Sequence, residues 1–168
     1  LPKGYDHKYV YSHFGLNLNI TDMQAAVGCA QLKKFPNFVE RRRYNFNLLH
    51  KELQEVQDKL ILPEPCPKSN PSWFGFMVTC RKGIQRDKVI RYLENHGIQT
   101  RMLFAGNLIK HPCFDEMRKA GKGYRVIGDL ANTDRIMNDT FWVGVYPGMT
   151  DEKLVYVAKI IKEAVSRV

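Results

Sequence analysis

The spacing of apolar positions predicts a helical first part of the chain. Thr21 and Gln24 have the capping-box spacing, in which each side chain accepts a hydrogen bond from the other residue's backbone N–H, so a helix begins there. Pro36 predicts the end of this helix, because proline has no N–H to donate. Apolar residues at intervals of three and four then predict a second helix over 37–59 with one buried face: Phe46, Leu49, Leu53, Val56 and Leu60.

The second part of the chain alternates strand patterns with helix patterns. Strands are predicted at 72–80, 98–104 and 140–145. Helices are predicted at 85–96, at 130–138 and after the capping residue Thr150. The last helix has one apolar face: Leu154, Val157, Ala158, Ile161 and Val165. The pattern predicts a helical arm followed by a small β-α-β sandwich, so the chain is α/β with a small domain of the α+β class.

Four prolines mark the connection between the two parts: Pro63, Pro65, Pro67 and Pro71. They restrict the backbone and favour an extended connector. We therefore expect two domains. Residues 1–62 would form an N-terminal loop and helical arm, and residues 63–168 would form a C-terminal small α+β domain.

The composition is that of a globular protein, with 44% hydrophobic and 26% charged residues among 168. No apolar stretch approaches the ~20 residues that cross a bilayer. Residues 1–11 also lack the apolar segment of a signal peptide. We expect a cytoplasmic protein without a membrane partner. Because the chain does not begin with Met, we expect a processed chain or a piece of a longer one.

Basic residues exceed acidic residues, 26 against 17, for a net charge of +9. Such a surplus attracts anions, whether nucleic acid, anionic lipid or phosphorylated small molecules. A basic nucleic-acid-binding module is therefore an alternative function. The sequence argues against nucleic acid as a partner, because its aromatic and basic residues do not alternate as in a surface that stacks bases.

No motif in the chain is a complete active site. Glycine-rich phosphate loops, a metal-binding HExxH helix and a glycine-flanked serine nucleophile are all missing from the sequence. The four cysteines have neither metal-binding nor redox spacing: Cys29, Cys66, Cys80 and Cys113. We expect reduced, mostly buried thiols and no metal site.

Three polar clusters are candidates for binding. Residues 12–17 directly precede the first helix, where polar groups bind phosphate well, although a plain turn fits equally. Residues 100–107 place an arginine, an aromatic ring and an amide at a strand end, where ligands are often bound. Residues 132–135 are polar too, but are more typical of a helix start.

Gly15–Ala26 resembles the signature G-x-N-Y-R-M-T-D-x-Q-A-A of the DegT-type sugar aminotransferases, which are pyridoxal phosphate (PLP) enzymes of fold type I. The resemblance continues in order along the chain, through Gln31-Leu32, Glu40-Arg41-Arg42, Gly97-Ile98-x-Thr100 and Tyr146-Pro147-Gly148-Met149-Thr150. One position departs from the signature. Asn19 stands where the family has a basic residue, so any charge contact made from that position is lost or moved.

Within this family the chain is similar to the branch that dehydrates nucleotide-linked 4-keto-6-deoxyhexoses at C3, which includes the CDP-4-keto-6-deoxyglucose 3-dehydratases of lipopolysaccharide O-antigen synthesis. The similar segments are Tyr5–Tyr9, Pro71–Phe76, Leu103–Leu108 and Asn132–Asn138. The resemblance implies that this chain is the C-terminal part of such an enzyme, with its helical arm against a large domain that precedes it. A nucleotide-sugar aminotransferase is the alternative within the family.

The resemblance also implies a cofactor and site residues. Pyridoxal or pyridoxamine phosphate would be the cofactor, and Asn17 would reach its phosphate, in the neighbouring subunit. Arg101, Phe104 and Asn107 would line the pocket for the sugar nucleotide. The catalytic residue that faces the cofactor, His in the dehydratases and Lys in the aminotransferases, would lie upstream of this chain.

For the whole enzyme, the resemblance implies a homodimer and a reductase partner. Some dehydratases of this branch hold an iron–sulfur cluster on cysteines spaced C-x-C-x₇-C. The cysteines of this chain do not have that spacing, so we expect any such cluster to lie upstream as well.

Overall fold

The first helix, α1 (Asp22–Glu52), begins at the predicted capping box. The Thr21 N–H donates to Gln24 Oε1 over 2.9 Å, and the Gln24 N–H donates to Thr21 Oγ1 over 3.3 Å. The helix continues through Pro36, so the prediction of two helices separated at this residue is wrong. A proline removes one backbone hydrogen bond from the ladder, and the other bonds of this 31-residue helix remain.

The structure, a computed structural model, describes residues 15, 16 and 18–167. The chain divides into two compact units between Phe35 and Pro36. In the first unit, large apolar side chains are exposed: Leu16, Leu18, Ile20, Met23, Val27, Leu32 and Phe35. The second unit contains the hydrophobic core. The predicted domains, 1–62 and 63–168, stay a prediction.

Four strands of the second unit form one antiparallel sheet in the order β1-β2-β4-β3. They are β1 (Leu60–Ile61), β2 (Gly75–Cys80), β3 (Thr100–Met102) and β4 (Thr140–Gly144). The sequence pattern did not predict β1. The helix ends at Glu52 rather than at residue 59, and a short 3₁₀ helix follows at Gln54–Val56. The Arg81 N–H then donates to the Lys59 carbonyl over 2.8 Å, directly before β1.

Helices α2 (Arg86–Asn95) and α5 (Asp151–Ser166) pack with the end of α1 against one face of this sheet. The predicted buried face of α5 is confirmed, since all five of its residues are buried. Two shorter helices, α3 (Asp115–Ala120) and α4 (Ala131–Asp139), lie in the segment between β3 and β4. The predicted class, an α+β sandwich after a helical arm, is confirmed.

Helix α2 ends where the sequence predicts. Gly97 adopts φ +74°, and the next N–H, that of Ile98, donates back to the Leu93 carbonyl over 3.0 Å. The described helices include none long and apolar enough to cross a membrane.

The four cysteines are free thiols, and the expectation that most are buried is wrong. Cys80 is buried in β2, and burial raises the pKa of its thiol to about 11. Cys29, Cys66 and Cys113 are exposed, because they lie on an exposed part of α1, in the proline-rich connector and in a short 3₁₀ turn.

Two of the segments that resemble the family, Glu40-Arg41-Arg42 and Tyr146–Thr150, contact each other in the structure. Arg41 of α1 donates to the Met149 carbonyl over 2.8 Å and to Asp151 Oδ1 over 2.7 Å. The Tyr44 hydroxyl donates to Asp151 Oδ2 over 2.6 Å. Hydrogen bonds from Tyr44 and then Arg41 lower the pKa of the Asp151 carboxyl. The turn at Tyr146–Thr150 is thereby tied to α1.

We expect Asp151→Asn to destabilise the chain near neutral pH and to have no effect in strong acid. The folded pKa is lowered, so the stabilisation is present above the carboxyl's ordinary value of 3.8 and is lost as the pH falls through the folded pKa. Denaturant unfolding at several pH values measures this difference. Asp58→Asn, at an exposed carboxylate, is the control. A deficit that persists in acid would contradict the prediction.

Candidate functional site

The sheet face opposite the core carries an aromatic side chain with little cover. Along β4, Phe141 and Val143 are buried in the core, while Trp142 points to the other face and is half-buried. Gly75 of β2 lies beneath the indole. A Cβ at this glycine would lie 2.6 Å from Trp142 Cε3, so only glycine allows the ring to lie this close to the strand.

Two further contacts hold the Trp142 ring. The indole Nε1–H donates to the Met102 carbonyl over 3.1 Å. The ring of Phe74 packs against it with 4.7 Å between ring centroids and 56° between planes. Residues from β2, β3 and β4 therefore meet at one place.

This place is a depression of about 600 Å³, called here the aromatic groove, lined by Phe74, Arg101, Met102, Phe104 and Trp142. Phe104 is 78% exposed and Phe74 is 55% exposed. Clustered exposed apolar side chains mark surfaces that bind a ligand or another protein surface.

Arg101 supplies the positive charge of the groove. It lies on the edge strand β3 opposite Trp142 and is exposed. It also lines an adjoining cavity of about 490 Å³, together with Lys153 of α5. Within the part of the chain that the structure describes, no acidic side chain lines either space, and Arg101 has no ion-pair partner. The guanidinium is therefore available for an anion.

The loop after β3 has an unusual backbone. Phe104 adopts φ +48°, in the left-handed region that a residue with a Cβ rarely enters. Its N–H donates to the Met102 carbonyl over 2.8 Å, which closes a tight turn. This turn lifts the Phe104 ring away from the core and into the aromatic groove.

Asn107 does not line the aromatic groove. It is buried, with 3% of its surface exposed, and its Nδ2 donates to Asp134 Oδ1 of α4 over 2.7 Å. Lys110 forms an ion pair with the same oxygen at 2.8 Å. Hydrogen bonds from Lys110 and then Asn107 lower the pKa of the Asp134 carboxyl, which therefore stays ionised at neutral pH.

The structure thus brings together two of the predicted site residues, Arg101 and Phe104, and places Asn107 against α4 instead. Asn17 lies outside the described residues. The sequence analysis missed Phe74 and Trp142 of the groove, and it interpreted the polar cluster that contains Asp134 as a helix start. The alternation in 140–145 could have indicated Trp142, since it places a large aromatic ring on the face away from the core.

No metal centre is found among residues 15, 16 and 18–167, where no three His, Cys, Asp or Glu side chains gather in a way that could hold an ion. The groove consists of rings, a thioether and one guanidinium. This set suits an organic molecule with aromatic or sugar surfaces and an anionic group.

The model of the DegT/DnrJ/EryC1/StrS aminotransferase family matches residues 2–162. The chain belongs to this family. The resemblance noted in the sequence is confirmed over nearly the whole chain.

Two relatives in this family match almost every residue of the chain. The lipopolysaccharide biosynthesis protein RfbH of Salmonella typhimurium is 53% identical over 97% of this chain and 37% of its own length. A dTDP-4-dehydro-2,6-dideoxy-D-glucose 3-dehydratase of Saccharopolyspora spinosa is 44% identical over 99% of this chain and 35% of its own length. The chain therefore spans little more than a third of these relatives.

A solved structure has the same fold. The E. coli GDP-4-keto-6-deoxy-D-mannose-3-dehydratase with bound hydrated PLP superposes with a TM-score of 0.75 at 22% identity, over 95% of this chain and 40% of that one. The arm, sheet and packed helices described above are thus the fold of part of a fold-type-I PLP enzyme of this family.

Proposed function

We propose that this chain is the C-terminal part of a PLP- or PMP-dependent enzyme that removes the C3 hydroxyl group of a nucleotide-linked 4-keto-6-deoxyhexose, for the synthesis of O-antigen dideoxysugars. The observation that carries this proposal is the similarity, over almost the whole chain, to a nucleotide-sugar 3-dehydratase. The name of the Salmonella relative supports the assignment to lipopolysaccharide synthesis.

The aromatic groove by itself does not fit the cofactor. PLP needs a carboxylate for its ring nitrogen and donors for its phosphate. The groove offers one arginine and no carboxylate among the described residues. The cofactor contacts would therefore come from other parts of the enzyme, with Asn17 as this chain's proposed contact to the phosphate.

The groove does fit the sugar nucleotide. The guanidinium of Arg101 has no ion-pair partner in the described chain and can bind a phosphate oxygen pair through two N–H groups. The rings of Phe74, Phe104 and Trp142 offer flat apolar surfaces for a sugar or base and exclude water from it. In this role Arg101 binds and orients the substrate, and the rings shield it.

The whole enzyme would be a cytoplasmic homodimer that works with a reductase. Exposed apolar side chains of the first unit, such as Met23 and Val27, are suited to such an interface between subunits. An iron–sulfur cluster, if the enzyme uses one, would be bound by cysteines outside this chain, since none of the four thiols described here shares a cluster of metal ligands.

The test is an assay of the whole enzyme with PMP, a reductase with its electron donor and a nucleotide-linked 4-keto-6-deoxyhexose, in the presence and absence of glutamate as amino donor. The reductase is included because replacing the C3 hydroxyl group by hydrogen takes up two electrons. Mass spectrometry of the sugar nucleotide should detect loss of the C3 oxygen without glutamate. A product that gains an amino group only in the presence of glutamate would assign the aminotransferase alternative. An unchanged substrate in both reactions would refute the proposal.

We expect the 168-residue chain alone to show no turnover and no saturable 1:1 absorbing complex with PLP. The reason is that the groove lacks the carboxylate and lysine that hold this cofactor in an aminotransferase-type site. A spectroscopic titration with PLP measures this, with free lysine as the control for non-specific reaction. Saturable binding at one lysine of this chain would contradict the prediction.

A further inference from the structure

Helix α4 contacts the 103–107 loop, which places Phe104 in the aromatic groove. The Asn107 Nδ2 donates to Asp134 Oδ1 over 2.7 Å, and the Asn107 backbone N–H contacts Met137 Sδ at 3.4 Å. Lys110, just beyond the loop, pairs with Asp134 Oδ1 at 2.8 Å. The Asp134 carboxylate therefore binds two residues, Asn107 and Lys110, that follow the Phe104 turn in the sequence.

Contacts of the Phe104 ring do not stabilise the left-handed backbone conformation of this residue. A left-handed residue with a Cβ is strained, and such strain persists only where the surroundings impose it. The ring is 78% exposed, so burial within this chain does not supply the stabilisation. The contacts that hold the turn must come from its flanks.

Further contacts fix the C-terminal side of the turn. Gly106 adopts φ +61°, and a Cβ on it would lie 2.6 Å from Met137 Cγ, so the loop runs directly against α4. Arg86 of α2 donates to the Met137 carbonyl over 2.5 Å. A ring nitrogen of His111 lies 2.6 Å from the Ala105 carbonyl oxygen.

From these contacts we infer that Asp134 is a positioning residue for the substrate site. It binds Asn107 and Lys110 and so holds the 103–107 loop in the strained turn that presents Phe104 beside Arg101 and Trp142. The inference rests on the proposed function, since it assigns the loop's shape to binding of the sugar nucleotide. On this account Asn107 acts through Asp134.

The first experiment measures how far the 103–107 loop shields Trp142, and it does not depend on enzyme activity. The chain has two tryptophans, and Trp73→Phe leaves Trp142 of the groove as the only tryptophan, whose emission can be excited selectively over that of tyrosine, while keeping a ring in the stack with Phe46. In this background Asp134→Ala should raise the acrylamide quenching of Trp142, because the released loop no longer holds Phe104 over the groove. Asp134→Asn, which keeps an acceptor oxygen for Asn107, should raise it less. Asp58→Ala should leave it unchanged.

The second experiment measures the kcat/KM of the whole enzyme. Asp134→Ala should lower kcat/KM by roughly ten- to a hundred-fold, as expected when a substrate-facing group is displaced by about an ångström. The double variant Asn107→Ala with Asp134→Ala should be no worse than Asp134→Ala, because both changes break the same link. Asp58→Ala should keep the parent value.

Each outcome decides the inference. Parent-like quenching in Asp134→Ala, or parent-like kcat/KM in an active enzyme, would overturn it. If Asp134→Ala does not fold, Asn107→Ala takes its place, and unchanged quenching in that variant would overturn it. If the parent enzyme does not act on the sugar nucleotide, the proposed function fails, while the quenching still decides whether Asp134 holds the loop.

Discussion

Replacing Phe141 with alanine is expected to lower the free energy of unfolding by about 3–5 kcal/mol. Phe141 is fully buried in β4, where it lies opposite Val78 of β2 and Met102 of β3. Strands bonded on both sides of β4 limit how far the surroundings can collapse, so alanine would leave a cavity in the centre of the core. Urea denaturation of the 168-residue chain, followed by circular dichroism, measures the loss.

Phe104→Ala is the matched control, because it removes the same ring from a side chain that is 78% exposed. We expect its unfolding free energy to stay within about 0.5 kcal/mol of the parent. Similar losses in the two variants would mean that Phe104 belongs to the core and not to the aromatic groove.

Arg101→Lys is expected to raise the KM of the whole enzyme for its nucleotide sugar by roughly ten-fold, since a charge-assisted hydrogen bond is worth about 1.5–3 kcal/mol. Lysine keeps the positive charge but cannot offer two parallel N–H groups to a phosphate. Because Arg101 is exposed on the edge strand, the fold should be unaffected. Steady-state kinetics and a melting curve on the same preparation separate binding from stability.

Arg91→Lys is the control for this change. Arg91 is exposed on α2, the helix that packs on the opposite face of the sheet from the aromatic groove, so its kinetics should match the parent. A KM in Arg101→Lys equal to that of Arg91→Lys would remove Arg101 from the substrate site.

Helix ends were predictable where a neighbouring side chain or glycine satisfies the free backbone groups. Thr21, Thr150 and Gly97 each mark a boundary that the structure confirms within one residue. Pro36 misled the prediction, because a proline weakens a helix at one bond, and only the rest of the helix decides whether it continues. The two-residue strand β1 could not be predicted, since its hydrogen bonds depend on a partner strand far along the chain.

The sequence alone selected two of the five residues that line the aromatic groove. Arg101 and Phe104 lie together at a strand end, so position along the chain was sufficient to select them. Phe74 and Trp142 could not be selected in this way, because the pairing of β2 with β4 brings them to β3. Asn107 was chosen for its amide, but the fold turns that amide toward Asp134.

By itself, the sequence determined the family, the helix ends marked by Thr21, Gly97 and Thr150, and one buried face on α5 and at the end of α1, because motifs, caps and apolar periodicity are local properties of the chain. Only the tertiary structure decided the order of the strands, the path of α1 through Pro36 and the strained turn at Phe104. The path of α1 depends on the rest of that helix. The strand order and the turn at Phe104 rest on hydrogen bonds and steric contacts between residues distant in sequence, such as Asn107 with Asp134 and Gly75 with Trp142. The local sequence pattern does not show which distant residue a side chain will contact.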